Sequence, residues 1–573
     1  MNILTGNFKT FDNEELFYRE WSPQEDNSKI LIILHRGHEH SGRVEDIALR
    51  DEFKKYKKYS YDNRGHGKSQ VEASFEFMNL VRDLDAFVSF VCEKEQKTPQ
   101  DIFIIANSVA GVVASTWVHD YAPKIRGMAL VAPAFKIKLY IPFAKEFLKM
   151  AIFFKPELNI KSYVKSKLLT HNIDEQKKYD EDTLITPNIP ARQLTTLLDT
   201  AIRIVDDAYL IATPTLVLSA GNDYVVDSKM QGDFYANLAS PHKKFVKLDG
   251  FYHAILHESN KQEAIDEISN FMNECFKNEG THIVDEMIRE TQKEQNRITY
   301  GTLPMGESLN YFVQKKMMSL FGGMSNGISI GQKYGFDSGV TLDYVYKNQP
   351  SGTNFFGEMI DKNYLDSIGW KGIRQRKVNL IQTIKDKITI LKDEGQEVRI
   401  LDIAGGPARY LVEIANEYRD VEIQVRDYQE QNIQEGRKLV KERNLSNISY
   451  RQSDAFDKNN YDPTEYKPNI VIISGVFELF SDNTLIQNAI DGVSSIMGEN
   501  SFLVYTGQPW HPQLAQIAHV LGNHQDTKWI MRRRSQYELD HIFNISGFEK
   551  KSMKIDDWGI FTVSSAKFVG KNV

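Results

Sequence analysis

IFIIANSVAGVVAS, residues 102–115, decides how the first half of this chain is read. An apolar, β-branched run leads into Ser108, and small residues follow it as the pattern turns helical. A strand, a tight turn and a helix in that order lift a serine hydroxyl clear of the end of a sheet. On either side of it, KILIILHRG (29–37), KYSYDNRGHG (58–67) and GMALVAPAF (127–135) are further short apolar runs that end in glycine-rich or polar loops. Helical patterns lie between the runs, so the expected architecture is a parallel sheet covered by helices, with functional groups at the carboxyl ends of its strands. Residues 136–205 interrupt this order with a Lys-, Leu- and Phe-rich stretch that has no clear β pattern, read as a lid. The sheet resumes at TPTLVLSAGND (213–223) and KKFVKLDG (243–250), and a helix from about Gln262 to Phe276 closes it.

A second strand-to-helix signature, LDIAGGPAR (401–409), stands nearly 300 residues further on and has no nucleophile. VEIQVRD, ISYRQSDAF, NIVIISGVF and SFLVYTG continue that pattern, with KKSMKID and GIFTVSSAKFV as the last strands. The fold class is therefore α/β, two doubly wound sheets in tandem. The expected domains are 1–276 with its lid, a charged helical linker at 277–300, a helical cap or substrate platform at 301–390, and a second sheet domain at 391–573.

Composition narrows the function. The 573 residues exceed a single core, since a domain takes about 100–200. A formal net charge of −7 argues against a nucleic-acid partner, because such proteins cluster Lys and Arg against phosphates. Cys92 and Cys275 are the only cysteines, so neither a disulfide framework nor a zinc site is implied. MNILTGNFKTFDNEELFY lacks the apolar core of a signal peptide, and no run reaches the 18 or so residues of a membrane span. A cytoplasmic protein is expected, with peripheral contact at the inner membrane surface through the lid. There AFKIKLYIPFAKEFLKMAIFFK (134–155) mixes large apolar side chains with lysines. Such a helix suits a lipid interface, and it equally suits packing over the site with solvated lysines.

A serine hydroxyl needs an adjacent base, an orienting carboxylate and donors for the oxyanion. Asp223 and His253 each follow a strand, in the chain order Ser…Asp…His. In this reading His253 takes the Ser108 proton, Asp223 fixes the imidazole, and the backbone N–H groups of Val109 and Gly37 form the oxyanion hole. His257 is an alternative base, whereas Asp227 reads as a structural carboxylate. His35, His38 and His40 match no zinc motif and read as loop-shaping residues. HRGHEHSGR (35–43), YDNRGHGKS (61–69), the elbow, AGNDYVVD (220–227) and the His253 segment together resemble the monoacylglycerol lipase/lysophospholipase family of α/β hydrolases. LTHNIDEQKKYDEDTLI (169–185) also fits that family's lid. The resemblance implies a single-chain lipid ester as substrate. One departure stands out: the family's Gly-x-Ser-x-Gly is Ala106-Asn107-Ser108-Val109-Ala110 here. The two added methyl groups strain a close helix–strand approach, and an inactive hydrolase is the alternative they raise.

In the second half, Asp402, Ala404, Gly405 and Gly406 lie where a backbone approaches a nucleotide-like ligand. Alone they would serve a dinucleotide as well. Asp427, at the end of the next strand, is placed for ribose hydroxyls. Asp454 is placed for an adenine amino group, with Ala455 and Phe456 against its ring. The ordering resembles class I S-adenosylmethionine-dependent methyltransferases, which implies that cofactor; a Rossmann dehydrogenase and a fold without cofactor are the alternatives. SGVFELF (474–480) should line the acceptor pocket, and it lacks the Asn/Asp-Pro-Pro-Tyr signature of nucleic-acid amino methylation. Tyr334, Tyr344, Tyr346, Trp370 and residues 372–377 are candidates for an anion platform, with a solvated helix face the preferred reading of the basic run. Segment 338–377 resembles the cap of bacterial proteins that fuse these two enzymes, and the whole chain resembles that fusion. A hydrolase with a non-catalytic C-terminal module and a lipid-binding scaffold are the competing whole-chain readings. The sequence leaves the acyl chain, the methyl acceptor and the oligomeric state open.

Overall fold

Ile30–Leu34 and Ile102–Asn107 are buried at every position, as strands must be when helices cover both faces of their sheet. The computed structural model describes residues 3–23, 28–71, 75–278, 283–525 and 527–570. It divides into two compact units, Met1–Ile283 and Val284–Val573.

The strands of the first unit are β1 (Ile3–Lys9), β2 (Glu15–Trp21), β3 (Ile30–Leu34), β4 (Lys57–Tyr61), β5 (Ile102–Asn107), β6 (Gly127–Val131), β7 (Asn159–Lys161), β8 (Asn188–Pro190), β9 (Thr215–Ala220) and β10 (Lys243–Leu248). Eight of them form one sheet in the order β1-β2-β4-β3-β5-β6-β9-β10, parallel from β4 onward. The antiparallel β1–β2 hairpin was not expected from the sequence. β1 is an edge strand that buries only Phe8, so its apolar alternation is weak. Helix Gln262–Lys277 lays Ile265, Ile268, Phe271 and Met272 over Leu31, Ile33, Ile105 and Leu218, which closes one face of the core.

The interruption at 136–205 is mostly helical, with β7 and β8 pairing antiparallel within it. Its parts differ. Helix Ala191–Asp206 buries Leu194, Leu197, Leu198, Ala201 and Ile204, and its Arg203 meets Asp120 at 2.8 Å. Helix Ala144–Phe154 buries nothing. Only the second of these behaves as a cover; the first is anchored scaffold.

The second unit has β11 (Arg399–Ile403), β12 (Glu422–Asp427), β13 (Ile448–Gln452), β14 (Ile470–Ile473), β15 (Phe502–Gly507), β16 (Phe548–Ile555) and β17 (Thr562–Phe568). Their order is β13-β12-β11-β14-β15-β17-β16, with β17 antiparallel between β15 and β16. The expected linker at 277–300 needs correction. Val284–Tyr300 is a helix of the second unit that buries Met287 and Thr291, and Thr291 Oγ1 accepts from Arg532 at 2.9 Å. Five helices between Met305 and Asp393 form the cap.

Candidate active sites

β5 delivers Ser108 into a conformation that few L-residues adopt, φ 54° and ψ −113°. Three bonds hold the turn. Ser108 N–H donates to Val131 O, Ala134 N–H donates to Ser108 O, and the Asn107 side-chain amide donates to Leu34 O at 2.8 Å. The alanines at 106 and 110 fit because the tight approach lies one residue later. A Cβ on Gly111 would stand 2.8 Å from Pro133 Cβ, so the glycine the crossing needs is Gly111.

Three side chains from distant parts of the sequence meet at this turn. His253 Nε2 is 2.8 Å from Ser108 Oγ, and His253 Nδ1 is 2.8 Å from Asp223 Oδ2. All three residues are buried. Asp223 Oδ1 accepts the N–H groups of Val225 and Val226 at 2.7 and 2.9 Å. Burial pushes this carboxyl up, yet the His253 imidazole and the two amides hold it below its ordinary value. His257 is turned away, its Nε2 on Arg43 O at 3.0 Å, and Asp227 caps helix Ser228–Asn237.

Gly37 packs against the residue after the serine: its Cβ would lie 3.2 Å from Val109 Cγ2. The three loop histidines have separate partners. His35 Nδ1 lies on Arg36 O, His38 Nδ1 on Thr186 O and His40 Nε2 on Asp182. Among the described residues, no group of three or more His, Cys, Asp or Glu is arranged to hold a metal ion. A buried Arg36–Glu39 pair stiffens the loop; burial opposes the Glu39 charge, but Arg36 holds its carboxyl down to about 2. Ser108, His253 and Gly37 open into a cavity of about 700 Å³ whose walls include Leu139, Phe147, Leu148, Ile189 and Leu197. Helix Ala144–Phe154 turns Phe147 and Leu148 into this cavity and leaves Phe153 and Phe154 81% and 79% exposed. Its Lys145 and Lys149 both reach Asp199.

In the second unit, the loop after β11 takes left-handed φ at Ala404, Gly406 and Ala408. Asp402 lies beneath it: a Cβ on Gly405 would collide with Asp402 Oδ2 at 2.3 Å. Asp402, grouped with the cofactor contacts on sequence, is wholly buried and props the loop from beneath. Tyr410 donates to Oδ2 at 2.6 Å, while Oδ1 is buried without a partner. Burial pushes this acid up to about 8, against the Tyr410 bond. Asp427 accepts from Gly406 N–H on one oxygen, and from Gln429 N–H and the Asn432 amide on the other. Asp454 is exposed, with Ala455 and Phe456 half-buried beside it. Phe456 meets Phe480 edge-on at 4.5 Å. A tight loop, an orphaned carboxyl oxygen at its base, an acid closing β12 and an apolar wall fit an S-adenosylmethionine-type ligand.

Residues 268–568 match a family model described as "Putative methyltransferase", and residues 25–260 match one described as "Serine aminopeptidase, S33". The chain is 41% identical over 573 residues to "Uncharacterized protein YnbC" of Escherichia coli K12, covering 98% of this chain and 97% of that one. It belongs to the putative methyltransferase family, with an α/β hydrolase fused ahead. The hydrolase half is 24% identical to "Phospholipase YtpA" of Bacillus subtilis over 41% of this chain and 91% of that one. It is 25% identical to "Monoglyceride lipase" of Rattus norvegicus over 43% and 82%.

In the methyltransferase half, a cavity of about 650 Å³ adjoins SGVFELF, with Gly475, Glu478 and Leu479 on its wall. Trp370, Ile373 and Arg376 also line it, but Tyr334, Tyr344 and Tyr346 do not. Tyr344 instead binds Asp361 and Ser351 within the cap. Of the basic run, Lys377 pairs with Glu413 and Arg374 donates to Leu365 O, which leaves Arg376 alone facing the cavity. Gln508 and His511 line it too and were missed in the sequence. Their signal was position, directly past the strand SFLVYTG, as Asp427 is past β12.

Proposed function

We propose that the hydrolase half is a serine esterase for a single-chain lipid and that the second half is an S-adenosylmethionine-dependent methyltransferase. The Ser108–His253–Asp223 row, with both links at 2.8 Å on the wall of an apolar cavity, carries the first part. The Ser108 proton passes to His253 Nε2 as Oγ attacks the ester carbonyl, and Asp223 holds the resulting cation. The backbone N–H groups of Val109 and Gly37 receive the oxyanion. His253 then returns the proton to the departing alcohol, and water releases the acid from Ser108 by the same route. The apolar cavity suits an acyl chain, in keeping with the lipase and phospholipase relatives. Helix Ala144–Phe154, with its outward Phe153 and Phe154, supports contact between the lid and a lipid surface. Among the described residues no helix is long and apolar enough to cross a membrane. We place the protein in the cytoplasm, at the inner membrane surface.

In the second half, the loop at 404–408 and Asp427 would hold the cofactor, with Asp454, Ala455 and Phe456 at its base. S-adenosylmethionine supplies an electrophilic methyl group when bound. The chain's own part is to orient the acceptor and exclude water. The engagement of Asp427 by three protein donors, Gly406 from the loop after β11 and Gln429 and Asn432 from the segment after β12, favours a second reading, in which this half is a binding module without catalysis.

Two measurements on the full chain test these readings. Release of fatty acid from a monoacylglycerol, lost in Ser108→Ala, is expected for the hydrolase. Calorimetric titration with S-adenosylmethionine should show saturable binding that Asp427→Ala weakens. Absence of heat would favour the binding module.

A further inference from the structure

The cavity of the second half is lined by two chemically distinct sets of side chains. The polar set, Glu478, Gln508 and His511, comes from the segments that follow β14 and β15. Gln508 is 3% exposed, and neither its Nε2 nor its Oε1 has a hydrogen-bond partner. Trp529 Nε1, on the same cavity, is also buried without a partner. Native proteins rarely leave a whole amide unsatisfied, because it lost its water on burial and regained nothing. His511 adds a defined donor: Nδ1 accepts the Gln513 N–H at 3.0 Å, so the proton of the neutral ring sits on Nε2. Burial pushes this ring down to about 3, so it stays uncharged across the physiological range.

The charged residues on the cavity are already matched. Arg376 Nη1 lies 3.3 Å from Glu478 Oε1, with its guanidinium over the Phe561 ring. Asp337 is bonded to both the backbone and the ring of His524. An ionic head would therefore find no free counter-charge here. The other set is apolar and reaches solvent: Met317 and Phe321 line the cavity and are 52% and 44% exposed. They belong to helix Met305–Phe321, none of whose residues is buried and which also exposes Leu309, Phe312 and Leu320.

We propose that this cavity is the acceptor site of the methyltransferase half and takes a single-chain amphiphile with an uncharged hydroxyl head. This rests on the methyltransferase reading above. Trp529 and His511 donate to hydroxyl oxygens of the head, Gln508 Nε2 orients the hydroxyl that is methylated, the Glu478 carboxylate on the same wall takes that hydroxyl's proton as its oxygen receives the methyl group, and the chain leaves between Met317 and Phe321. Met side chains suit a flexible chain of variable length.

The test is photolabelling of the full chain with a 1-O-decylglycerol that carries a diazirine on its alkyl chain, an ether that the hydrolase half cannot cleave. Labelled peptides are mapped by mass spectrometry. Adducts are expected within 314–321, 360–376 and 508–531, and unlabelled 1-O-decylglycerol should displace the probe at least tenfold better than decanoate or decylamine. Gln508→Leu should lose these adducts tenfold or more and raise the melting temperature, since it removes an unsatisfied amide. Gln508→Glu should lose them as well. Adducts confined to the first unit, equal displacement by the charged amphiphiles, or a Gln508→Leu chain that melts lower and still labels would each overturn the proposal. S-adenosylmethionine titration of the same sample separates the two readings. Cofactor binding without second-half adducts sinks the acceptor site alone; adducts without cofactor binding sink the methyltransferase reading.

Discussion

His38 and Thr186 are bonded to each other twice. The His38 ring Nδ1 lies 2.8 Å from Thr186 O, and Thr186 N–H donates to His38 O at 3.0 Å. His38 is held at a left-handed φ of 72°, directly after Gly37, and Thr186 belongs to the lid segment. The loop proposed to receive the oxyanion is thus tied to the segment that covers the cavity. His38→Ala removes one of the two bonds, about 1 kcal/mol. The expected result is a roughly fivefold fall in kcat/KM on long-chain esters and a smaller fall on short ones that do not reach the lid. Steady-state kinetics on a chain-length series checks it.

Gly111 is the second pressure point of the elbow. In an ordinary helix, replacing glycine by alanine stabilises; here the new methyl would meet Pro133 Cβ at 2.8 Å. Gly111→Ala should destabilise the hydrolase half by about 1–3 kcal/mol, or about 2–4 °C in Tm per kcal/mol. Esterase activity should fall with it. Differential scanning calorimetry of the full chain, read on the transition of this half, measures the shift.

Arg36 and Glu39 predict a second stability effect. Arg36→Ala leaves a buried carboxylate whose remaining basic neighbours are Arg43, 3.7 Å away, and His257. Because Arg36 keeps the folded-state pKa of Glu39 low, its contribution is present above the unfolded value of 4.5 and is lost as pH falls toward about 2. Arg36→Ala should therefore cost about 2–4 kcal/mol at pH 7 and less near pH 4. Adding Glu39→Gln should restore part of the loss. Urea melts at both pH values decide it.

Asp402 predicts the opposite slope for the methyltransferase half. Its folded-state pKa is raised from 3.8 to about 8, so the folded chain holds a proton that the unfolded chain has released between those values. Stability should fall as pH rises through this window, by about 1.4 kcal/mol per pH unit at most. Asp402→Asn keeps the shape and an acceptor for Tyr410 but cannot ionise. Its melting temperature should be flatter from pH 5 to 8, and at pH 8 it should exceed that of the unmodified chain.

Much of this was legible because strand ends are legible. Ser108, Asp223, His253 and Asp427 each follow an apolar run, and the topology of a doubly wound sheet carries such positions to one edge. What stayed hidden depends on packing across the sequence. The shift of the close approach from residue 110 to Gly111 appears only when Pro133 is in place. Asp402 reads as a ligand contact until Gly405 is seen above it. β1 carried little signal because an edge strand buries one residue in seven. Gln508 and His511 follow their strand as plainly as Asp427 follows β12, but neither residue type announces a role without the cavity around it.

Ester hydrolysis rests on Ser108 as an activated nucleophile, and a fluorophosphonate reports that directly. After incubation of the folded chain, peptide mapping should find one adduct, on Ser108. It should be lost in His253→Ala and form about 10³–10⁴-fold more slowly in Asp223→Asn. A folded chain that takes up no label at Ser108, or one whose Ser108→Ala variant is labelled as before on another serine, would contradict it.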